Sequence, residues 1–231
     1  MLGTIVNALA IIGGSLLGII FSKGIPDSYK QNIMSGVGLS VMLIGIKSAL
    51  SSDSLMVVIF SVIIGAMIGE FLKIEQRLED LGTFFERKIS RKTSDSGSFA
   101  RGFVTASLVF CVGSMAIVGA LESGLTSNHQ TLFAKSILDG VTSIIFASSM
   151  GIGVMFSSIP VFLYQGLITI TAVFMKSFLV PETISQMTSV GGLLILAIGM
   201  NLLGITKIRI GNLLPGMFLP LIYFAICQLF N

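Results

Sequence analysis

Apolar residues gather into runs of about 20 that alternate with short polar breaks, the length a helix needs to cross the hydrocarbon core of a bilayer. The runs cover residues 2–21, 32–50, 55–72, 99–121, 132–156, 160–178, 184–205 and 213–230. The breaks include Ser51-Ser52-Asp53, an outer loop from Ser123 to Thr131, and Val180-Pro181-Glu182. Ser157-Ser158-Ile159 reads as a tight connection from which Pro160 opens the sixth run, while Pro215 and Pro220 interrupt the eighth. The pattern predicts an all-α, polytopic helical membrane protein with eight transmembrane helices, seven being the alternative count. One integral membrane domain fills 1–231. It divides into a first three-helix group (1–72), a cytoplasmic helix and linker (73–98), a central helix pair (99–157) and a second three-helix group (160–231).

Composition removes the soluble alternative. Charged residues make up 11% of the chain and mean hydropathy is +0.96, whereas soluble domains carry roughly 25% charged residues. The first run follows Met1 and Leu2 without a basic stretch, so it is expected to remain a helix instead of being cleaved. Cys111 and Cys227 stand singly within apolar runs, which implies neither a disulfide framework nor a metal site.

The placement of Lys and Arg orients the chain. With the loop after the third run cytoplasmic, the inner side collects Lys23, Lys30, Lys73, Arg77, Arg87, Lys88, Arg91, Lys92, Arg101, Lys207 and Arg209, against Lys47, Lys135 and Lys176 outside. Both termini then face out. Residues 73–92 place Ile74, Leu78, Leu81, Phe85 and Ile89 at helical spacing among charged positions. This segment is either a membrane-surface or partner-docking helix, or a solvated extension packed on its own protein. Residues 93–98 form a flexible link.

Two further patterns concern architecture. VGLSVMLIGIK from Val37 aligns with GGLLILAIGMN from Gly191, matching Gly38 with Gly192 and Gly45 with Gly199. Each segment lies in the middle of a three-helix group, and eight spans give the groups opposite orientation, as in inverted repeats flanking a central helix pair. Small-xxx-small pairs Gly14/Gly18 and Gly65/Gly69 suggest close-packing faces and, through them, a homodimer.

The candidate chemistry lies in the fourth and fifth spans, 113–153. Glycine and serine are dense there, and Asp139 sits about seven residues inside an apolar run. A carboxylate at the centre of a span costs roughly 2.5–3.5 kcal/mol, which makes it a functional candidate by default. The expected site comprises Asp139 with Gly113, Ser114, Gly119, Ser148 and Ser149, and with Asn7 and Asn201 as further polar contributors. Lys135, one turn from Asp139, and Lys47 are its candidate charge partners. Gly113 and Gly119 would unwind the fourth span. The bland alternatives are a permanent structural ion pair for Asp139, and interhelical hydrogen bonding for Asn7, Gln165 and Asn201.

LGTIVNALAIIGGSLLG at the start, GVGLSVMLIGIK, GSMAIVGALESGL, KSILDGVTSIIFASSMGIGV and IPVFLYQG together resemble the family of bacterial inner-membrane proteins containing YqgA and YdfK. The resemblance spans the chain. It implies a polytopic bacterial membrane protein, and the label often given to the family suggests transport without naming a substrate or any residue roles.

Two function classes follow. One is a small-solute or ion transporter or channel, with the lipid bilayer and a small solute or ion as its partners. The other is a membrane scaffold or regulatory subunit acting through residues 73–92. No HExxH, GxSxG or paired intramembrane Asp points to an enzyme, and no phosphate-binding loop points to nucleotide coupling. No cofactor and no nucleic-acid partner are expected, and the pattern specifies no metal.

Overall fold

The computed structural model describes residues 1–22, 27–77, 80, 98–112 and 114–230. Its helices are α1 (Leu2–Ser22), α2 (Asp27–Ala49), α3 (Leu55–Leu72), α4 (Ser98–Cys111), α5 (Ser114–Leu125), α6 (Gln130–Met150), α7 (Gly153–Phe156), α8 (Ser158–Ile170), α9 (Ala172–Met175) and α10 (Pro181–Leu202). A 3-10 segment (Ile210–Phe218) and α11 (Leu219–Phe230) complete the chain. Among the described residues, seven helical stretches are long and apolar enough to cross a membrane, and α4 with α5 makes an eighth if the bent pair is counted as one. The fold is that of an all-α membrane protein. Most of the segment 73–92 and the link after it lie outside the described residues.

Packing contacts fix the direction in which each helix runs. Gly3 lies against Leu132, Gly14 against Ser143 and Gly18 against Ala147. This constant offset means that α1 and α6 run parallel. The glycines of α2 meet those of α10 in reverse order, Gly38 against Gly199 and Gly45 against Gly192, so that pair is antiparallel. Gly65 against Gly216 and Gly69 against Asn212 make α3 and the 3-10 segment antiparallel as well.

The same contacts settle how α4 and α5 traverse the fold. Gly102 packs on Met150 and Gly153 on Phe99, at the end of α6. Gly119 packs on Leu132, and the Thr131 hydroxyl donates to Glu122 at 2.6 Å, both near the start of α6. Together α4 and α5 therefore run the full length of α6, antiparallel to it. They form a broken span whose halves differ in direction by 60°. With a parallel α6 as the next helix, the path from α1 reverses four times, as eight crossings require.

Several expected boundaries move. The fifth span ends at Met150, and the chain turns at Gly151 (φ 77°, ψ −159°), a conformation that only glycine adopts without strain. Ser157 is a single right-handed helical residue that joins α7 to α8 without reversing the chain, while Ser158 to Pro160 open α8, with Pro160 in its first turn, where its missing N–H costs nothing. The fourth span breaks between Cys111 and Ser114. Gly119 sits inside α5 and does not unwind it. The prolines of the eighth span act as expected, with Pro215 inside the 3-10 segment and Pro220 in the first turn of α11.

At the centre stands α10. Within its membrane-length window 78% of the residues are buried, against 22–50% for the other intact spans. Its sequence explains the placement: Thr183, Gln186, Thr188, Ser189, Gly191 and Gly192 would face lipid poorly, and all are buried. Val190, Leu194 and Ile195 join Val41, Phe110, Phe146 and Ile11 in the main core. The small-residue pairs from which a dimer was expected are occupied internally: Gly14 and Gly18 receive α6, and Gly65 and Gly69 receive the 3-10 segment. The dimer expectation loses that basis.

Candidate functional site

Three helices bring polar faces together in the half of the fold nearer the start of α1. Thr4 and Asn7 are one turn apart on α1, Lys135 and Asp139 one turn apart on α6, and Gln165 and Thr169 one turn apart on α8. All six residues are buried. The parallel packing of α1 on α6 and the return of α8 after the turn at Gly151 place these faces at one level. Asp139, nine residues after the start of a 21-residue helix, lies about 14 Å along its axis.

Each hydrogen bond in this cluster orients the next. The Lys135 ammonium reaches both carboxylate oxygens of Asp139, Oδ1 and Oδ2, at 2.9 Å each. Asn7 Nδ2 donates to Asp139 Oδ2 at 3.0 Å and to Gln165 Oε1 at 3.3 Å. A carboxylate accepts only, so the Asn7 amide must present its nitrogen, and Gln165 must then present its oxygen to Asn7. Asn7 Oδ1 and Gln165 Nε2 are left over, and both are buried without a partner among the described residues, as are the Thr4 and Thr169 hydroxyls. Each such group costs about 1–3 kcal/mol if nothing meets it. Some serine and threonine hydroxyls turn back to their own helix, as Ser136 does to the Leu132 carbonyl and Thr188 to that of Ile184, both at 2.7 Å, while Ser15, Ser107, Thr183 and Ser189 are, like Thr4 and Thr169, buried without a partner among the described residues. What sets this cluster apart is that four such groups, donors and acceptors both, lie beside a buried ion pair.

The break in the fourth span adjoins the cluster. Cys111, the last residue of α4, lies within electrostatic range of both Lys135 and Asp139. On its other side Val112 packs against Gly191 of α10. The interruption is thus held between the ion pair and the central helix.

The structure unites only part of the expected site. Asp139, Lys135 and Asn7 meet as described. Lys47 is exposed at the end of α2 and takes no part; Lys135 is the charge partner. Ser148 and Ser149 lie more than two turns further along α6, with their hydroxyls bonded to the Ile145 carbonyl at 2.8 and 2.9 Å. Asn201 pins the loop after α10, accepting from Thr206 Oγ1 at 2.7 Å and from the Ile208 amide at 3.0 Å. Gly119 supports Leu132. Gly113 and the Ser114 side chain lie outside the described residues. Among the described residues, no group of three His, Cys, Asp or Glu side chains could hold a metal ion. Thr4 and Thr169 escaped the sequence reading; each sits one helical turn from an amide already noted, Asn7 or Gln165, and that spacing was the available signal.

Over residues 2–225 the chain matches the family described as "Protein of unknown function (DUF554)". It belongs to that family. It is similar to the uncharacterized membrane protein YdfK of Bacillus subtilis, with 35% identity across 100% of this chain and 99% of the relative. It is also similar to the uncharacterized protein YqgA of Escherichia coli, with 31% identity across 96% of this chain and 95% of the relative. No solved structure matches it. The family membership agrees with the resemblance drawn from the sequence motifs, and relatives matched end to end place the polar cluster inside the portion they share with this chain.

Proposed function

We propose that this family member is a small-solute or ion transporter or channel of the bacterial inner membrane, with both termini outside and its polar site where α1, α6 and α8 meet beside the broken fourth span. One observation carries the reading: a buried Lys135–Asp139–Asn7–Gln165 network with unpaired polar groups, lying between apolar helices. Intramembrane ionisable groups are costly and recur along solute and ion pathways, and broken helices line such sites in transporters.

The helix packing adds support. If residues 1–72 and 160–231 are inverted repeats, a two-fold axis in the membrane plane relates Gly38 to Gly192 and Gly45 to Gly199. Such an axis demands that a contact of Gly38 with Gly199 be matched by one of Gly192 with Gly45. Both contacts are present. Antiparallel pairing of α3 with the 3-10 segment fits the same axis, with the site near the interface of the two groups.

Transport needs no nucleotide in this reading, so flow is downhill or ion-coupled. The test is a flux survey in proteoliposomes over inorganic cations and small metabolites, with wild type and Asp139→Asn, both checked for a monodisperse fold. The expected result is flux of at least one solute that Asp139→Asn reduces. Flux unchanged by the substitution would remove Asp139 from the site. Absence of flux for every solute would favour the scaffold reading through residues 73–92.

A further inference from the structure

The network also constrains what the site can accept, given the transport reading above on which this inference rests. The one carboxylate, Asp139, is already neutralised by Lys135 through both oxygens. A bare cation entering would meet an ammonium and no second carboxylate, and an anion would meet Asp139 held in place by Asn7. The groups still free are uncharged and of both kinds. Asn7 Oδ1 offers an acceptor, Gln165 Nε2 offers donors, and the Thr4 and Thr169 hydroxyls offer either. Asn7 and Gln165 are already in contact through Nδ2 and Oε1, so the free acceptor and the free donors belong to adjacent amides. A solute matching that edge presents a donor and an acceptor on neighbouring atoms and carries no net charge.

We propose that the site selects small neutral solutes of the carboxamide and urea class. The solute N–H meets Asn7 Oδ1 and its carbonyl oxygen meets Gln165 Nε2, with the Thr4 and Thr169 hydroxyls completing the shell. The Lys135–Asp139 pair stays closed during binding. Its task is to hold Asn7 in the one orientation that leaves Oδ1 free, which makes Asp139 a positioning residue for the solute and not its counter-ion.

Acetamide and acetate are nearly the same size and differ in charge and donor, so they decide the matter in proteoliposomes, with Rb+ as the cation probe. Wild type is expected to pass acetamide and urea above protein-free vesicles, and neither acetate nor Rb+. Gln165→Glu keeps the volume and the oxygen that accepts from Asn7 but removes the free donor, and is expected to cut acetamide flux about tenfold, the order of one lost hydrogen bond. Thr169→Val, a smaller change to the fold, is expected to reduce it in the same direction. Flux of acetate or Rb+ without acetamide would overturn this assignment while leaving the transport reading in place. Acetamide flux unaffected by both variants would overturn it too. Flux of no probe and of no solute in the wider survey would remove the transport reading and this inference with it.

Discussion

Lys135 and Asp139 sit one turn apart on α6, and the ammonium contacts both carboxylate oxygens at 2.9 Å with only 8% of either side chain exposed. Removing one member of a buried pair strands the other's charge, which costs about 3–5 kcal/mol, whereas replacing both with apolar groups is often close to neutral. Lys135→Met and Asp139→Leu are each expected to destabilise the protein by that amount. The double variant should lose less than either single one. Reversible unfolding in mixed micelles measures all three, and a double variant that loses the sum of the single effects would show that the two residues do not act as a unit.

The antiparallel α2–α10 pair depends on glycine at particular positions. A Cβ on Gly45 would overlap the Leu196 backbone, and one on Gly192 the backbone of Ser48 and Ala49. Overpacking of this sort costs about 1–3 kcal/mol, so Gly45→Ala and Gly192→Ala are each expected to lower stability by that order. Gly13 and Gly36 have open space where a Cβ would stand, and Ala there should be neutral or slightly stabilising because it is the better helix former. Equal effects at all four positions, read from thermal unfolding in detergent, would contradict the packing.

The helical, membrane-length spans were readable because a bilayer imposes a length that recurs along the chain, and seven such helices, with the bent pair of α4 and α5 as an eighth, fall where the apolar runs do. The third span, 55–72, has the bounds the hydropathy suggested. The turn at Gly151 was hidden because a single residue with positive φ leaves no mark on hydropathy, while Ser157 to Pro160 carried the usual signature of a loop. Asp139 stood out because a carboxylate in an apolar run is costly wherever it lies. Asn7 and Gln165 were noted as polar positions, but their meeting at Asp139 was not legible, since they are 158 positions apart in the chain and only the packing of α1, α6 and α8 joins them. Serine hydroxyls misled for a physical reason: Ser148 and Ser149 satisfy themselves on their own helix, as any helical serine can.

At the opposite end from the cluster, Asn212 ties the 3-10 segment to α3. Its Nδ2 donates to Glu70 Oε2 at 2.6 Å, and its Oδ1 accepts from the Glu75 amide at 2.8 Å. Asn212 is buried, so Asn212→Ala is expected to cost about 1–3 kcal/mol and to increase protease access to the chain just after α3. Arg209, whose 3.4 Å pair with Glu70 is largely exposed, should be replaceable by Ala without measurable loss. Limited proteolysis with unfolding curves compares the two, and an Arg209 effect as large as that of Asn212 would contradict this ranking.

The passage of α6, α8 and α10 through the membrane can be checked without any transport assay. Gly3 lies against Leu132, so the exposed loop at Asn128 belongs at the same face as the N-terminus. The antiparallel register of Gly45 with Gly192 and Gly38 with Gly199 runs on toward the start of α2 as α10 ends, so the loop at Lys207 belongs at the face where α2 begins, opposite the N-terminus. In a background with Cys111 and Cys227 replaced by Ala, Asn128→Cys is expected to react with a membrane-impermeant maleimide applied to intact spheroplasts. Lys207→Cys should react only after permeabilisation. The positive-inside rule makes the same assignment independently, since Lys207 and Arg209 flank that loop. Asn128 and Lys207 are separated by the spans 130–150, 153–170 and 181–202, so labelling of both positions from one side would mean that one of these three helices does not cross.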